Sequence, residues 1–500
     1  MTSRFTRRQL LAASAAPAAL AVIPALAQDA TPLPVATPLP STPAVPPMAP
    51  PAWPLYGREL TGARATAIAG ISSANVAKLA PLWQVEVGGP VSATPVIADG
   101  VAYFGCYAGN LHARVAQTGE EVWTYATGAA VEEPNLGINL GILGSAAVEA
   151  GVVYVGDATA TVHAVQASTG TVLWKTKVDQ QPSACIWSSP VVWNDMVFVG
   201  VASVAKEAGF RGSVVALSAR TGEVAWQTWM VPQGSDGAGV FAVPVIDVDR
   251  GLLIVGTQNA YSETTAADGH PISLVALDAL SGAEKWAFDA IATAGDGAYT
   301  DDIGFSASPN LYTISSDDGD LDVVACGQKS GTFWVLNRET GELVWQTTVS
   351  PAGPLGGMEG TSAVHENVVV IPATDWADPA GPATGLVSAY DADTGLRRWT
   401  KEQVGFPAAG PVSISEDLVF QAGIDGILHA YMVANGVELW SAELGASASG
   451  GIGIADGVVI VGAATPAFAP FVTTGNTVQA FGVAQPDEAP ATTPVASPAT

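Results

Sequence analysis

Short apolar runs bounded by glycine recur along most of the chain. Typical examples are Gly151-Val-Val-Tyr-Val-Gly156, Gly251-Leu-Leu-Ile-Val-Gly256 and Gly457-Val-Val-Ile-Val-Gly462. Short runs rich in β-branched residues between turn residues are typical of β-strands. These runs do not alternate between apolar and polar positions, so the sheets they form are predicted to be buried on both faces.

A tryptophan recurs with the strands and marks an internal repeat. Seven of the eight tryptophans in this pattern lie four residues after a glycine, as in Thr-Gly119-Glu-Glu-Val-Trp123. Successive glycines are 41 to 60 residues apart, which accommodates one four-stranded sheet with loops of variable length. We expect each indole to fill the gap between two sheets and to donate its N–H to a backbone acceptor. The eight are Trp83, Trp123, Trp174, Trp226, Trp286, Trp345, Trp399 and Trp440.

The two ends of the repeat complement each other. Trp83 has no Thr-Gly turn before it, and the last repeat, which ends at residues 476–483, has no tryptophan strand after it. Leu79 to Val87 is therefore predicted to be the outer strand of the last sheet, which closes the ring without an exposed edge. The sequence thus predicts an all-β fold: an eight-bladed β-propeller with tryptophan docking motifs, closed by N- and C-terminal strands in one blade.

The chain extends beyond the repeat at both ends. Residues 1–27 contain Arg7-Arg8, an Ala/Leu-rich stretch and Ala25-Leu-Ala27, the pattern of a twin-arginine signal peptide with a small-x-small cleavage site. Residues 28–52 and 484–500 are rich in Pro, Thr, Ala and Val and are predicted to be a linker and a tail that lack stable structure, on either side of a propeller at residues 53–483. No other segment reaches the length of a membrane span. We therefore expect an exported protein, periplasmic or extracellular.

Acidic side chains greatly outnumber basic ones. The chain has 19 Lys and Arg against 46 Asp and Glu. Loss of Arg4, Arg7 and Arg8 with the signal peptide leaves 16 basic residues and a net charge of −30. Nucleic acids and anionic membrane surfaces would be repelled by this charge, so both are disfavoured as partners.

The cysteines limit the redox groups that the chain can carry. Cys106, Cys185 and Cys326 are far apart and form no C-x-x-C-H motif, which excludes haem attached through that motif. Cys106 and Cys326 lie on predicted second strands, where buried thiols are the simplest expectation. Two of the three could instead form a disulfide in an exported protein, and the sequence leaves that pairing open.

Polar residues interrupt the strand pattern on three consecutive blades. If the first strand of each blade is nearest the axis, all of them can reach the funnel at one end of it. Carboxylate and amide oxygens are suited to Ca²⁺, a further carboxylate can act as a base, and an ammonium can donate to an electron-rich oxygen. Taken singly, each of these residues is more often an ordinary surface charge or turn residue. They are Glu207 on blade three, Asn259 on blade four, and Asp302 and Lys329 on blade five.

Longer motifs extend the pattern beyond the ring. They include Trp53-Pro-Leu-Tyr56 and Arg64 ahead of the first blade, and the Thr-Gly-x-x-x-Trp repeats within it. Asp302-Ile-Gly-Phe-Ser-Ala-Ser-Pro309 and Gly327-Gln-Lys-Ser-Gly331 are two more. With these motifs the chain resembles the quinoprotein alcohol dehydrogenases, eight-bladed propellers that bind pyrroloquinoline quinone (PQQ) and Ca²⁺ on the axis. Within that family it is most similar to the polyvinyl alcohol dehydrogenases, and the resemblance extends to Val483.

The resemblance implies a role for five residues. Glu207 and Asn259 match the metal ligands of the family. Asp302 matches its catalytic aspartate, which also faces the metal, and Lys329 matches the basic residue that contacts the quinone oxygens. Phe241 stands where the family usually has the tryptophan that stacks on the quinone, so this chain offers a smaller ring there. The implied cofactors are PQQ and Ca²⁺.

Two departures from the family pattern affect the expected chemistry. The adjacent cysteine pair that covers one face of the quinone in many members is absent. Gly304 stands where the lanthanide-using branch has a second aspartate, which favours Ca²⁺ as the metal.

The expected activity is the oxidation of primary or secondary alcohols, including polymeric ones, by hydride transfer to the quinone. Electrons would then pass to an external cytochrome or quinone carrier. Two other functions stay open. One is a non-catalytic propeller that binds or scaffolds proteins of the cell envelope, and the other is a sugar or polymer binder without redox chemistry.

Overall fold

Eight antiparallel four-stranded sheets follow one another along the chain and close into the eight-bladed propeller that the sequence predicts. The computed structural model describes residues 52–133, 138–261, 269–291, 302–316, 319–352, 356–376, 381–404, 408, 410–463 and 472–483. The predicted signal peptide, the linker up to residue 51 and the tail from 484 lie outside these ranges. No helix in the described ranges is both long and apolar enough to cross a membrane.

The blades are numbered here from the one that begins at Val96. Blades one to seven have their strands in chain order from the axis outwards, whereas blade eight takes its outermost strand from the start of the chain. The first strands of blades one to eight are Val96–Ala98, Ala147–Glu149, Val191–Trp193, Val245–Asp247, Asn310–Ser316, Ala363–His365, Ser413–Ser415 and Ile452–Ala455. The second strands are Val101–Gly105, Val152–Gly156, Met196–Ser203, Leu252–Gly256, Gly319–Gly327, Val368–Asp375, Leu418–Ala422 and Val458–Ala463. First strands of neighbouring blades contact each other at most blade boundaries, which places them around the axis.

The outer two strands complete each blade. The third strands are Asn110–Val115, Thr161–Gln166, Ser213–Ser218, Ser273–Asp278, Thr332–Asn337, Thr384–Asp391, Ile427–Met432 and Thr477–Val483. The fourth strands are Glu121–Ala126, Val172–Lys177, Val224–Trp229, Glu284–Asp289, Leu343–Thr348, Arg397–Val404, Glu438–Glu443 and Leu79–Glu86. Elements outside the four-strand pattern are the short strands Ala65–Thr66 and Ala184–Cys185, the 3₁₀ helix Val76–Lys78, and the hairpin strands Val131–Glu133 and Ile138–Leu140.

Burial follows the position of each strand in its blade. Leu252–Gly256 and Val458–Ala463 are buried at every position, as the unbroken apolar pattern predicts. The outermost strands are instead largely exposed, as in Glu121–Ala126, where Trp123 is the one buried residue. The blades are therefore held together mainly by apolar side chains of their inner strands.

The tryptophans connect each blade to the next. The indole of Trp123 donates to Ala167 O at 2.8 Å, and that of Trp174 donates to Ala219 O at 2.9 Å. Seven of the eight tryptophans make this kind of bond, and the exception is Trp345, whose buried Nε1 has no hydrogen-bond partner among the described residues. The expected role of the tryptophans is confirmed at seven positions.

The ring closes in the last blade. Leu79–Glu86 pairs antiparallel with Thr477–Val483, and Trp83 lies opposite Ala480. The closing strand brings the first tryptophan of the pattern into the last blade, where its indole donates to the blade-one carbonyl of Ala116 at 2.8 Å. The predicted closure by N- and C-terminal strands is confirmed.

The segment before the ring lies along the inner edges of the first strands, a path that the sequence did not indicate. Trp53 pairs with Ile97 of blade one through two backbone hydrogen bonds of 2.8 Å. Farther along the segment, carbonyl oxygens of residues 60 to 64 accept hydrogen bonds from the first strands of blades four to seven, the last at 2.8 Å between Arg64 O and Ile414 N. This inner segment, residues 53–64, connects blades that are far apart in sequence.

Arg64 anchors the inner segment and is fully buried. Its guanidinium donates to Val412 O at 2.8 Å and to Ser413 Oγ at 3.0 Å, and it lies 4.5 Å from the centre of the Tyr56 ring. Burial lowers the pKa of Arg64 to about 10, so the side chain remains charged at neutral pH. Backbone oxygens and an aromatic face therefore compensate for the loss of water around this cation.

All three cysteines are buried free thiols. Cys326 lies on the second strand of blade five, and Cys106 directly follows the second strand of blade one. The expectation of buried thiols is confirmed for both, and the alternative of a disulfide is not realised.

The turn glycines that contact the tryptophan of the preceding blade allow a prediction about stability. Gly222 has φ +73, and a Cβ built there would lie 2.5 Å from Cε3 of Trp174. Gly222→Ala should lower the free energy of unfolding, measured in urea, by about 3 kcal/mol. Two costs add up, because alanine is strained in the left-handed backbone conformation and its methyl group overlaps the Trp174 ring. The matched control Gly151→Ala has φ +77 but nothing within 4 Å, and should lose only the strain contribution of about 1 kcal/mol. Equal losses in the two variants would contradict the role of the indole contact.

Candidate active site

The predicted site residues on blades four and five lie at one end of the propeller. In an antiparallel hairpin the end of the second strand lies beside the start of the first. Asn259 and Lys329 follow the second strands of their blades, and Asp302 precedes the first strand of blade five. All three therefore belong to the end where second strands finish, as expected for a funnel on the axis.

A buried ammonium lies between two carboxylates at this end. Lys329 Nζ is 2.6 Å from Asp302 Oδ2 and 3.1 Å from Glu359 Oε1. The lysine side chain is 9% exposed, whereas those of Asp302 and Glu359 are 46% and 34% exposed. The ammonium is thus fixed by the protein, while both carboxylates remain open to a ligand from solvent.

The charge on Lys329 is secured by its partners. Burial alone would lower the pKa of this ammonium, but the carboxylates of Glu359 and Asp302 outweigh burial and hold the pKa of Lys329 above its usual range. The side chain is therefore a permanent cation and hydrogen-bond donor across the physiological pH range.

Asn259 is joined to the same cluster through Gly304. The Asn259 side chain is buried, and its Oδ1 accepts a hydrogen bond from Gly304 N at 2.9 Å. Lys329 N donates to Gly304 O at 3.1 Å. A Cβ at position 304 would lie 2.5 Å from Gln258 Oε1 and 2.8 Å from Gln258 Cα, so this segment has no room for a side chain. Glycine at 304 is required by packing, quite apart from any effect on the choice of metal.

Glu207 is on the neighbouring blade but is not part of this cluster. It is exposed and lies in residues 204–209, between the second and third strands of blade three. Its carboxylate makes no hydrogen bond or ion pair with any residue that the structure describes. Over those same residues, no group of three or more His, Cys, Asp or Glu side chains is arranged to hold a metal ion. The approach of Glu207 to Asn259 around a cation stays a prediction.

Two aromatic rings lie side by side at this end. Phe241 and Trp187 are both half-buried, with ring centres 5.7 Å apart and planes at 38°. The Trp187 indole donates to Ser203 O at 3.3 Å. Because of the angle between them, a flat ligand can lie parallel to only one of the two rings.

The sequence alone pointed to neither Glu359 nor Trp187. Glu359 lies in a glycine-rich segment, in the connection that leads into the first strand of blade six, as Asp302 lies in the connection that leads into blade five, though nearer to the strand than Asp302 does. Trp187 lies three residues before Pro190, as Phe241 does before Pro244. The shared position before the proline could have identified Trp187, whereas Glu359 shares only its connection, not its offset from the first strand, with Asp302.

The fold and the cluster together define a propeller with a buried, charged cluster at one end of the ring, and comparison with known proteins identifies the class. Residues 53–363 match the profile of "Glucose/ethanol/alcohol dehydrogenase, beta-propeller domain", and residues 383–489 match that of "Outer membrane protein assembly factor BamB". The first match covers more than half of the chain. The chain therefore belongs to the family of PQQ-dependent alcohol dehydrogenases and is an oxidoreductase.

Curated relatives agree with this family. A polyvinylalcohol dehydrogenase of a Pseudomonas species is 27% identical over 439 residues, which cover 78% of this chain and 67% of the relative. A quinohemoprotein alcohol dehydrogenase of Comamonas testosteroni is 25% identical over 507 residues, 79% of this chain and 69% of the relative.

Two solved propeller structures resemble the fold of this chain to different degrees. The crystal structure of the Comamonas testosteroni enzyme has a TM-score of 0.76 at 22% identity, with 90% of this chain and 83% of that chain covered. BamB of Moraxella catarrhalis has a TM-score of 0.55 at 14% identity, with 81% and 99% covered. At these identities the likeness concerns the fold alone.

The packing around Gly304 generates a prediction about the site. Gly304→Ala should force Gln258 or its own segment to move and so disturb the bonds to Asn259 and Lys329. We expect an affinity for PQQ about tenfold weaker, measured by absorbance titration, since overpacking of this kind costs about 1 to 3 kcal/mol. Gly445→Ala, a loop glycine of blade seven with nothing within 4 Å, is the control and should keep its affinity. Unchanged PQQ binding in Gly304→Ala would show that this packing does not shape the site.

Proposed function

We propose that this chain is an exported, PQQ- and Ca²⁺-dependent dehydrogenase that oxidises primary or secondary alcohols and passes electrons to an external carrier. The observation that carries the proposal is the buried ammonium of Lys329 beside the accessible carboxylate of Asp302. The amide of Asn259 is joined to the backbone of Lys329 through Gly304, two residues after Asp302. A fixed donor next to an accessible base is what oxidation of a hydroxyl group requires.

The residues at this end of the propeller fit the proposed cofactors. The cation of Lys329 and the half-buried faces of Phe241 and Trp187 suit a flat, electron-rich quinone. Oxygens of Glu207, Asn259 and Asp302 are of the type that Ca²⁺ binds. When bound, PQQ supplies the acceptor for the electrons and hydrogen that leave the alcohol carbon, and Ca²⁺ polarises it.

Asp302 is proposed to remove the hydroxyl proton. Its side chain is 46% exposed, so an alcohol can approach the carboxylate from solvent. Asp302 Oδ2 faces Lys329 Nζ, but Glu359 is a second partner of that ammonium and retains it when Asp302 turns to the substrate. The proton passes from the alcohol oxygen to the Asp302 carboxylate, and Lys329 stabilises negative charge that develops nearby.

The substrate class and the electron path rest on different observations. Relatives named polyvinylalcohol dehydrogenase support alcohols as substrates and extend the proposal to polymeric ones. The chain has no C-x-x-C-H motif, so electrons are proposed to leave for a separate cytochrome or quinone carrier. The twin-arginine pattern of residues 1–27 supports export.

A second candidate function is a non-catalytic scaffold of the cell envelope. The match of residues 383–489 to the assembly factor BamB favours it, as does the phenylalanine at 241 in place of a tryptophan. The ion cluster of Asp302, Lys329 and Glu359 favours the enzyme, because it places a fixed donor beside carboxylates that a substrate can reach from solvent.

The role of Asp302 can be tested by removing its charge. With PQQ and Ca²⁺ present, Asp302→Asn should reduce alcohol-dependent dye reduction by about 10² or more, because general-base catalysis typically contributes 10² to 10⁴. Asp249→Asn, an exposed carboxylate in the turn between the first two strands of blade four, is the control and should keep the full rate. A full rate in Asp302→Asn, or a wild type that oxidises no alcohol in a broad panel, would favour the scaffold instead.

The proposed metal ligand can be tested separately. Glu207→Gln should weaken Ca²⁺ retention, measured by metal content after dialysis, because an ionised carboxylate binds Ca²⁺ more strongly than a neutral amide. Glu120→Gln, an exposed glutamate in the Thr-Gly turn of blade one, is the matched control. Equal calcium content in the two variants would remove Glu207 from the metal site.

A further inference from the structure

Tyr261 contacts both ends of the segment that carries Glu207. Its hydroxyl shares a hydrogen bond with the hydroxyl of Ser203, directly before residues 204–209. Its ring stacks on Phe210, directly after that segment, with ring centres 6.1 Å apart and planes at 26°. Tyr261 is itself two residues after Asn259. One side chain of blade four therefore holds both ends of a segment of blade three.

Beside Tyr261, the backbone around Gly237 packs closely between Phe210 and Asn259. Gly237 N donates to Phe210 O at 2.7 Å, and Ala238 N donates to Asn259 O at 2.9 Å. A Cβ at Gly237 would lie 2.5 Å from Asn259 O and 2.8 Å from Tyr261 N, so nothing larger than glycine fits. The segment around Gly237 thus sets the spacing between the two blades, and Tyr261 connects them across it.

Residues 206–209, in contrast, make few contacts beyond a turn in which Phe210 N donates to Glu207 O at 3.1 Å. All four are exposed, and Gly209 N makes only a long hydrogen bond of 3.4 Å to Asp236 Oδ2. A segment that is not already ordered must be ordered when its ligand binds, and that entropy loss weakens the affinity. The two contacts of Tyr261 order part of the segment before the ligand binds, and so reduce the entropy that binding must cost.

We propose that Tyr261 is a positioning residue that orders the Glu207 segment against Asn259 and thereby sets the affinity of the site for Ca²⁺. The inference rests on the proposed function, in which Glu207 and Asn259 are metal ligands. Tyr261 itself has no direct contact with the cation in this proposal. Its effect comes from the hydrogen bond to Ser203 and the stacking on Phe210.

Two substitutions separate these two contacts. Tyr261→Phe removes the hydroxyl but keeps the ring, and should weaken Ca²⁺ binding about fivefold. Tyr261→Leu removes both contacts and should weaken it about thirtyfold. Tyr125→Phe is the matched control, because Tyr125 is half-buried and its hydroxyl contacts His163 Nδ1 at 2.9 Å between blades one and two. The control should keep the wild-type affinity, measured by calorimetric titration of Ca²⁺ into the mature protein with PQQ present.

Limited trypsin digestion tests the positioning without the metal. Lys206 is exposed within the segment, so cleavage after it, followed by mass spectrometry, reports how well the segment is held. Cleavage should be faster in Tyr261→Leu than in wild type and Tyr125→Phe, at similar thermal midpoints.

The outcomes separate this inference from the proposed function. Ca²⁺ binding by wild type with equal affinity in both Tyr261 variants would overturn the positioning role alone. The same holds for unchanged cleavage after Lys206 in Tyr261→Leu. A wild type that binds no Ca²⁺ would overturn the proposed metal site and, with it, this role of Tyr261.

Discussion

The contact of an indole with a glycine of the next blade is the constraint that fixes how each blade docks on its neighbour, while apolar side chains of the inner strands supply most of the burial. A four-stranded sheet cannot bury both of its faces by itself, and here each sheet is covered by its neighbours. At seven boundaries the tryptophan ring of one blade lies where a Cβ on the next blade's turn glycine would be, within 3 Å of it. The same glycine ends the turn before its own blade's tryptophan. One residue type therefore serves both the local turn and the packing between blades.

The candidate site follows from how the blades are placed. Because the first strands surround the axis, the ends of second strands and the starts of first strands meet at one end of it. Asn259, Asp302 and Lys329 come from these positions on blades four and five, and Glu359 comes from the start of blade six. Each of these side chains therefore lies close in sequence to a rigid strand, and only short connecting segments separate it from the sheets.

The fold was largely predictable because its repeat is local. The Thr-Gly-x-x-x-Trp spacing predicted eight blades, and the unmatched Trp83 predicted the closing strand; both are confirmed. The inner segment that ends at Arg64 was not predictable, since its hydrogen bonds join residues far apart in sequence, from the pair Trp53 and Ile97 to the pair Arg64 and Ile414.

The site was predictable only in part. Asp302 and Lys329 were chosen because they interrupt a strand pattern, and the structure brings them within 2.6 Å. Glu359, Trp187 and Tyr261 belong to the same region, but the sequence alone does not reveal contacts between blades. Glu207 stays a predicted ligand.

The central claim is that the end of the propeller with Lys329 binds PQQ, and the most direct measurement is gel filtration of the mature protein after incubation with PQQ and Ca²⁺. We expect quinone absorbance to elute with the protein at about one equivalent per chain, and Lys329→Met to lose it because the fixed cation is gone. Quinone that elutes apart from the wild-type protein, or that stays bound to Lys329→Met as tightly as to wild type, would contradict the account.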